Sequence, residues 1–360
     1  MLSFFEYHLP FKQPLETGAG NFIHRKGILI SFSEDGRYFL SEASPLPGFS
    51  QDTLPEVTSA LLENHVLLCR FFASSFNTDQ LEVLLKKLPA FPSLQFGLSF
   101  LGAELLSYRK NISFGKLFGL NEANSIGVND VIGKLPADEM FERIQTSIER
   151  GFTTIKLKAV PPLFTLADVL TKIYASHPGL RFRLDANRSW PPDELKSLSA
   201  LFSHLPVDYI EEPFPMESDS EIKHAQKESL IPIALDESIV SLSRLNKLLA
   251  GNSELYLIIK PMLLGNLFEI AGTITRKRSR CEHIVITTSL ESAVGRSIIA
   301  TAASLIGDKT LPHGLNTGEL FERDLFSITG IKHGQLSLSE PLFRHISFDV
   351  LPEKYLKRLE

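Results

Sequence analysis

The sequence is poor in cysteine and has no long apolar run. Its 360 residues include two cysteines, Cys69 and Cys281, far apart in apolar contexts, and no CxxC pair is present for zinc or redox chemistry. This usage favours buried free thiols in a reducing compartment. No segment approaches the roughly 18 apolar residues of a membrane span, and the N-terminus lacks the basic start of a secretion signal. We therefore expect a soluble, cytoplasmic protein without a membrane partner.

Strong charge of either sign is missing as well. The formal net charge is −5 at pH 7, and the densest basic run, residues 276–280, is typical of the solvated C-terminal end of a helix. We therefore expect no nucleic-acid partner. The chain has no P-loop and no HExxH motif, and residues 18–20 lack the spacing of a dinucleotide fingerprint. A content of 43% hydrophobic and 22% charged residues indicates an ordinary globular chain with a large core.

The first hundred residues change from strand to helix patterning. Residues 3–8 predict a strand, and residues 27–32 and 38–41 predict a hairpin closed by an Asp-Gly turn. Apolar residues at helical spacing then predict helices at 55–63, 79–87 and 93–108. Residues 1–115 should therefore form an α+β domain, followed by an irregular boundary.

A regular alternation of strands and helices begins after residue 120. Strands are predicted at 128–132, 154–158, 181–185, 208–211, 233–236, 255–260 and 283–287, with helices between them and an eighth strand at 311–315. Such alternation implies a parallel sheet, either open or closed into a barrel. Residues 120–325 should form this second domain, and the tail, residues 326–360, should pack back on the first.

Five consecutive strands end in charged residues: Lys156, Asp185, Glu211, Asp236 and Lys260. The gaps between them are 29, 26, 25 and 24 residues, which suits a barrel whose eight units take roughly 31 residues or slightly fewer. In an open sheet, ligands gather at one switch point that involves few strands. Five charged strand ends in a row therefore favour the mouth of a barrel.

The acidic strand ends predict a metal site. One such residue alone is better explained as a helix N-cap, but Asp185, Glu211 and Asp236 together would repel one another unless a cation lies between them. Ligation by oxygen alone favours Mg²⁺ over zinc. Glu212 and Glu237 remain alternative ligands, because strand alternation does not show which residue of each adjacent pair points inward.

Lysines complete the predicted site. Lys156 and Lys158 share one face of a strand, and Lys260 ends an apolar run. Beside a metal and other cations, a desolvated lysine has a lowered pKa and can act as a base. The pattern predicts removal of a proton next to a carboxylate, with another lysine supplying positive charge. Three residues after the seventh strand either cap a helix or touch substrate: Ser289, Glu291 and Ser292.

Together these residues resemble the enolase superfamily, in particular its muconate-lactonising-enzyme branch, in which a lysine base works with Mg²⁺ on an enediolate. In that branch a KxK motif on the second barrel strand faces a lysine on the sixth, and Asp, Glu and Asp on strands three to five hold one Mg²⁺. The pattern falls on Lys156, Lys158, Asp185, Glu211, Asp236 and Lys260, which favours Glu211 and Asp236 over their neighbours. The resemblance implies a modified TIM barrel of (β/α)7β type, with an N-terminal α+β capping domain that the C-terminal tail completes.

Within the branch, the chain resembles the o-succinylbenzoate synthase family over residues 3–325. The segments that carry the resemblance are 7–12 (YHLPFK), 42–49 (EASPLPGF), 183–188 (RLDANR), 259–261 (IKP) and 289–292 (SLES). The resemblance implies a Mg²⁺-dependent dehydratase, with Mn²⁺ as a substitute, that converts 2-succinyl-6-hydroxy-2,4-cyclohexadiene-1-carboxylate into 2-succinylbenzoate for menaquinone biosynthesis. Thr287, Thr288 and segment 311–317 depart from the expected pattern, which bears on substrate fit and not on the proton chemistry.

The resemblance also implies individual roles. Lys158 would take the proton and, once protonated, assist departure of the hydroxyl, while Lys260 would stabilise the enediolate from the other face. Lys156 would tune Lys158 and help bind the substrate carboxylate. Four further residues would orient the metal ligands or bind substrate: Arg183, Asn187, Ser289 and Gly20. Segments 18–22 and 46–48 would close over the succinyl tail.

Three other functions remain open. An N-succinylamino acid racemase or dipeptide epimerase would use Lys158 and Lys260 as bases on opposite faces and would form no aromatic product. A Schiff-base lyase would use a barrel lysine as nucleophile and would be indifferent to EDTA. A non-catalytic binding or scaffold barrel would have no reason to keep three acids and three lysines. The choice between monomer and homodimer is not decided by the sequence.

Overall fold

The structure, a computed structural model, describes residues 1–17, 20–251, 255–277, 283–326, 331–338 and 351–359. Within that part of the chain, no helix is both long and apolar enough to cross a lipid bilayer. Cys69 is a free, half-buried thiol. Cys281 and the loop residues Gly18 and Ala19 lie outside the described residues.

Residues 2–118 form an N-terminal unit, which we call the cap, on an antiparallel sheet. Three strands of the sheet are consecutive: β1 (Leu2–Thr17), β2 (Gly20–Glu34) and β3 (Arg37–Ala43). The predicted turn joins β2 to β3, with φ values of 50° at Asp35 and 75° at Gly36, as a tight two-residue hairpin requires. β1 and β2 are longer than predicted, because their pairing continues past an irregularity between Pro10 and Leu15.

Helices pack against this sheet and against one another. They are α1 (Leu54–Glu63), α2 (His65–Ala73), α3 (Thr78–Lys87), α4 (Pro92–Lys110) and the short α5 (Phe114–Phe118). Of these, α3 and α5 pack against α4. Apolar spacing predicted α1, α3 and α4, whereas α2 was missed because only Asn64 separates it from α1. Ile30, Phe72 and Leu98 have no exposed surface and belong to one core shared by sheet and helices.

Residues 125–320 form the second unit, the barrel. After β4 (Ser125–Gly127) come the parallel strands β5 (Asp130–Ile132), β6 (Thr154–Lys158), β7 (Arg181–Asp185), β8 (Val207–Glu211), β9 (Ile233–Leu235), β10 (Tyr256–Ile259) and β11 (Ile284–Ile286). The helices that alternate with them are α6 (Ala137–Glu149), α7 (Phe164–Ser176), α8 (Leu195–Ala200), α9 (Asp219–Glu228), α10 (Leu242–Gly251), α11 (Pro261–Leu264), α12 (Leu267–Lys277) and α13 (Ala293–Ile306). This is the predicted order, to which the structure adds β4 and α11.

The sheet runs in sequence order from β5 to β11, and segment 311–315 joins its two edges. His313 bridges Val128 just before β5, and Gly314 bridges Thr287 just after β11, both in parallel. The predicted eighth strand is therefore present as two bridging residues. Seven βα units and this closing segment make the (β/α)7β barrel that was predicted.

The C-terminal tail returns to both units. β12 (Ile331–Lys332) and β13 (Gln335–Ser337) form a small antiparallel sheet with β4, and β14 (Leu356–Arg358) pairs with β1 at the edge of the cap sheet. The tail therefore completes the cap sheet. The domain limits at residues 115, 120 and 325 stay a prediction.

Parallel pairing aligns the charged strand ends. Lys158 lies opposite Asp185 across β6 and β7, and Asp185 lies opposite Glu211 across β7 and β8. Asp236 and Lys260 directly follow β9 and β10. Because the carboxyl ends of parallel strands share one rim of a barrel, these residues lie at a common mouth.

Candidate active site

Lys156 is paired with two carboxylates at the mouth of the barrel. Its Nζ lies 2.7 Å from Glu211 Oε1 and 3.0 Å from Asp185 Oδ2. Burial alone would lower the pKa of Lys156, but attraction to Asp185 and Glu211 outweighs burial and raises this pKa well above its usual value. With these two carboxylates as partners, the side chain of Lys156 is therefore a protonated ammonium.

A second ion pair joins the ends of β9 and β10. Lys260 Nζ lies 2.6 Å from Asp236 Oδ2 and 5.8 Å from the ring centre of Phe49 in the cap, within cation–π range. Burial again acts to lower the lysine pKa, but Asp236 and Glu237 raise it overall. The pKa of Lys260 is therefore raised by its carboxylate neighbours, like that of Lys156.

Lys158 differs from both of these lysines. Its Cα lies beside that of Asp185, but the Asp185 carboxylate pairs with Lys156. The half-buried Lys158 side chain makes no ion pair or hydrogen bond with any residue that the structure describes. Among the described residues, Lys158 is therefore the lysine of this group whose nitrogen has no fixed partner.

The contacts after β8 distinguish Glu211 from Glu212. Glu212 has a positive φ of 40°, which breaks the strand alternation, and its side chain is fully buried. It accepts hydrogen bonds from the N–H groups of Asp236 (3.0 Å) and Ser238 (3.2 Å) and from the Ser238 hydroxyl, and it pairs with Arg188 at 3.0 Å. Glu212 therefore ties β8 to the end of β9, while Glu211 faces the lysine and the other carboxylates.

Several buried oxygens beside these ion pairs lack a protein partner. Glu211 Oε2, Glu237 Oε2 and Asn187 Oδ1 accept no hydrogen bond within the described part of the chain. Burial, reinforced by repulsion from Asp236, raises the pKa of Glu237 to about 7. Burial likewise raises the pKa of Glu211, against the attraction of Lys156. Buried oxygens without a hydrogen-bond partner are typical of a cation site, and so are buried carboxylates whose negative charge is poorly compensated.

The carboxylates do not yet converge on one point. Across the described ranges, no three acidic, histidine or cysteine side chains stand close enough to hold a metal ion as they are oriented. The three carboxylates instead form ion pairs with lysines. Lys156 pairs with Asp185 and Glu211, and Lys260 pairs with Asp236. The donor set itself, oxygen atoms only, fits Mg²⁺ or Mn²⁺.

Comparison with known families identifies both units of the chain. Residues 139–327 match the family described as Enolase C-terminal domain-like, and residues 1–105 match the family described as MenC, N-terminal domain. The first match alone covers more than half of the chain. The chain belongs to the enolase superfamily.

Individual relatives in this superfamily cover nearly the whole chain. An o-succinylbenzoate synthase from Desulfotalea psychrophila is 28% identical over 94% of this chain and 99% of its own length. One from Klebsiella pneumoniae is 29% identical over 84% of this chain and 85% of its own. A solved o-succinylbenzoate synthase from Thermosynechococcus elongatus, complexed with Mg in its active site, superposes with a TM-score of 0.67 at 22% identity, over 90% of this chain and 94% of that one.

The mouth of this enolase-superfamily barrel has conformationally restrained loops. Positive φ angles occur in the loops that follow strands, at Asn187 (44°), Arg188 (59°) and Leu290 (65°), as well as at Glu212. Such angles cost free energy in residues with a Cβ and persist where surrounding contacts hold them. The Asn187 N–H lies 3.3 Å from Asp185 Oδ1, and its side-chain nitrogen lies 3.4 Å from Glu237 Oε1. Asn187 therefore contacts Asp185 and Glu237, and its role in orienting the ligands stays a prediction.

Arg183 lies deeper than the mouth. Its side chain has no exposed surface and donates to Asp208 (3.1 Å), Asn129 (3.0 Å) and the carbonyl of Pro312 (2.7 Å). These contacts link β7 to β8, to the residue before β5 and to the segment that closes the barrel. Contact of Arg183 with substrate stays a prediction.

The two remaining predicted substrate contacts lie on the cap hairpin and after β11. Gly20 begins β2 at the exposed end of the β1–β2 hairpin. Ser289 is buried, and both its hydroxyl (2.5 Å) and its N–H (2.7 Å) donate to Glu291. Contact of either residue with substrate stays a prediction.

A cavity between cap and barrel includes residues of the predicted segment 46–48 and adds Lys26 and Leu290, which were not predicted. Its volume is about 270 Å³, and its lining includes Lys26, Leu46 and Pro47 from the cap and Leu290 from the barrel. Two buried polar residues, Glu42 and His313, were also missed. A lone acid in the apolar strand around Glu42 and a lone histidine between Pro312 and Gly314 are the only sequence signals that mark them.

Proposed function

We propose that the chain is a Mg²⁺-dependent dehydratase that converts 2-succinyl-6-hydroxy-2,4-cyclohexadiene-1-carboxylate into 2-succinylbenzoate, the o-succinylbenzoate synthase reaction of menaquinone biosynthesis. The observation that carries the proposal is the arrangement at the mouth, where Lys156 and Lys260 pair with carboxylates and Lys158 pairs with no described residue. The curated relatives of full length bear this activity in their names. The proposal includes the cytoplasmic location predicted from cysteine usage.

The proposed metal ligands are Asp185, Glu211 and Asp236. Mg²⁺ bound there would supply a Lewis acid for the substrate carboxylate and for the negative charge that develops on it. The unpaired buried oxygen Glu211 Oε2 supports this assignment. Asn187, which donates to Asp185 and Glu237, would hold the ligands in position, in the manner of outer-shell residues around metals.

Lys158 is the proposed acid–base residue. As a neutral amine it takes the proton from the ring carbon next to the carboxylate, and the electron pair of the broken C–H bond moves toward that carboxylate. The lysine ammonium so formed then returns the proton to the hydroxyl as the C–O bond breaks. One water leaves, the ring becomes aromatic, and Lys158 is again a neutral amine. A nitrogen without a fixed protein partner suits this two-way transfer.

Lys260 and Lys156 are proposed to supply fixed positive charge. The raised pKa of Lys260 beside Asp236 and Glu237 keeps it an ammonium, which stabilises developing negative charge rather than accepting a proton. Lys156 holds Asp185 and Glu211 in place and helps to bind the substrate carboxylate. Their pairing with carboxylates is what separates these two lysines from Lys158.

The succinyl tail is proposed to lie in the cavity between cap and barrel. Leu46, Pro47 and Leu290 provide apolar walls for its methylene groups, and Lys26 on β2 provides a cation for its terminal carboxylate. Phe22, close to Gly20 on the same hairpin, also lines the cavity. The proposal keeps the expectation that segments 18–22 and 46–48 close over the tail.

An absorbance assay tests the proposed function directly. The cyclohexadiene substrate should be converted to the aromatic product with Mg²⁺ or Mn²⁺, not with EDTA, and activity should return when metal is restored. Absence of turnover by the metal-loaded protein would overturn the proposal. Solvent deuterium exchange into N-succinyl amino acids without aromatic product would favour the racemase. Borohydride trapping together with indifference to EDTA would indicate a Schiff-base lyase.

A further inference from the structure

Glu42 is a buried carboxylate that connects the cap to the barrel. It lies on β3 and has no exposed surface. Within the cap, its Oε1 accepts from the Tyr7 hydroxyl (2.7 Å) and the Ser44 hydroxyl (2.7 Å). From the barrel it accepts the N–H groups of Ser292 (3.2 Å) and Gly295 (2.9 Å) and the Ser292 hydroxyl. One side chain therefore joins the cap sheet to the first turn of α13.

This position suits a carboxylate. The first N–H groups of a helix have no partner within the helix, and the helix dipole makes its N-terminus positive. Glu42 accepts two of these groups from α13, whose N-cap is Ser292. A Cβ at Gly295 would lie 2.8 Å from Glu42 Cδ, so only glycine permits this close approach. The contact between the two units is therefore tightly defined.

Arg25 holds the adjoining segment in the same way. Its side chain is 3% exposed and donates to the carbonyls of Ser44 (2.6 Å) and Pro45 (2.8 Å) in the cap and of Leu290 (3.0 Å) in the barrel. Within the barrel, Glu291 accepts both the hydroxyl and the N–H of Ser289. Arg25 also donates to the carbonyl of Ser289 (3.4 Å), so cap residues hold segment 289–292 at Ser289, Leu290 and Ser292.

The held segment forms a wall of the cavity proposed for the substrate tail. Leu290 and Arg25 line that cavity together with Leu46 and Pro47. Leu290 has a φ of 65°, a conformation that costs free energy and that its contacts must maintain. Loss of the contacts from the cap would therefore move this wall while leaving the strand ends that bear Lys158 and Lys260 in place.

We propose that Glu42 is a positioning residue that couples the seating of the cap to the conformation of segment 289–292, and thereby sets how tightly the substrate tail is bound. Glu42 acts through Ser292 and Gly295 and touches no reacting atom. Its removal should therefore weaken substrate binding far more than it slows the proton transfer. Only this kinetic consequence rests on the proposed function.

Hydrogen exchange tests the coupling without substrate. Glu42→Gln keeps the shape of the side chain and removes its charge, so the Ser292 and Gly295 amides should exchange at least about tenfold faster, because a bond to a charged acceptor is lost. Amides of β6 and β7 should be unchanged. The matched control is Glu34→Gln, because Glu34 pairs with Arg109 inside the cap at 3.0 Å. Wild-type protection of residues 289–296 in folded Glu42→Gln protein would overturn the proposal.

Steady-state kinetics of the folded variant test the consequence for binding. KM for the cyclohexadiene substrate should rise about tenfold, with kcat changed by less than about twofold, the pattern of lost uniform binding. A fall in kcat with unchanged KM would indicate a merely structural role and would overturn the proposal. Ser292→Ala removes one donor to Glu42, so it should change exchange and KM in the same direction by a smaller factor. It serves as the test if Glu42→Gln does not fold. Wild-type protein without dehydratase activity would contradict the proposed function alone, because the exchange experiment would still stand.

Discussion

Asp185 pairs with Lys156 at 3.0 Å, although the residue beside it in register across β6 and β7 is Lys158. Strand alternation places both lysines on one face, so sequence position does not distinguish them. Their partners do. Lys156 is bound to Asp185 and Glu211, whereas Lys158 has no ion pair among the residues the structure covers. The two lysines of this strand therefore differ in their contacts, and we propose that Lys156 holds the carboxylates while Lys158 moves the proton.

Lys158→Ala should abolish turnover without unfolding the protein. Removal of a general acid–base group costs about 100-fold to 10,000-fold in rate. The free energy of unfolding should change by less than about 1 kcal/mol, because no described ion pair is broken. Turnover and urea unfolding should be measured side by side, with Lys172→Ala, an exposed residue of α7, as the control. Wild-type turnover in Lys158→Ala would remove Lys158 from the mechanism.

Glu211→Gln and Glu212→Gln should affect different properties: Mg²⁺ binding in the first variant and the free energy of unfolding in the second. Glu211→Gln should weaken Mg²⁺ binding by about 100-fold or more, since even an outer-shell change costs roughly 10-fold to 100-fold. Glu212→Gln should lower the free energy of unfolding by about 1–3 kcal/mol, because the carboxylate that joins β8 to Asp236 and Ser238 loses its charge. Isothermal titration and chemical denaturation measure the two effects. Stronger loss of Mg²⁺ binding in Glu212→Gln would reverse the ligand assignment.

Asp236→Asn should sharply lower the catalytic rate and also abolish its dependence on Mg²⁺. The substitution takes away a proposed ligand and also the partner of Lys260, 2.6 Å away. Any residual rate should no longer respond to Mg²⁺ or EDTA in an activity titration. Asp219→Asn changes an exposed carboxylate that pairs with Arg244 on the outer helices and should leave the metal response intact. Full Mg²⁺ activation of Asp236→Asn would show that Asp236 is not a ligand.

Sequence patterning was sufficient for the elements that carry the chemistry. The strands that end at Lys158 and Asp185 have the predicted limits, because each is short and alternates apolar with charged or polar residues. Their order then placed Asp185, Glu211 and Asp236 on neighbouring strands. The length of the β1–β2 hairpin was not predictable in the same way, since its pairing resumes beyond Pro10 through contacts between the two strands.

Tertiary contacts decided what local patterning left open. Glu211 and Glu212 are equivalent in sequence, and the difference arises from the positive φ of Glu212 and its contacts with the end of β9. Arg183 shares a strand face with Asp185, yet alternation gives direction and not depth, so its burial beside Asp208 was not foreseen. Glu42 acquires its role from α13, 250 residues later in the chain.

His313 lies fully buried in the segment that closes the barrel. Its Nδ1 accepts the N–H of Ile286 at 3.1 Å, so the neutral ring carries its proton on Nε2. If Nδ1 were protonated, its N–H would face the N–H of Ile286, and neither donor would have an acceptor there. Burial, reinforced by the charge of Arg183, lowers the pKa of His313 to about 3. The folded protein therefore keeps this ring neutral where the unfolded chain would protonate it.

The stability of the protein should consequently fall in mild acid. The unfolded chain protonates His313 near pH 6.5, so the stabilisation is complete above that pH and is lost as pH falls toward 3; at pH 5 the loss is about 2 kcal/mol. Asn does not titrate and offers an oxygen in place of Nδ1. Between pH 7 and pH 5, the free energy of unfolding measured in urea should therefore fall by about 2 kcal/mol less for His313→Asn than for the wild type. His224→Asn, on the exposed face of α9, should keep the wild-type response, and an unchanged pH response in His313→Asn would contradict the assignment.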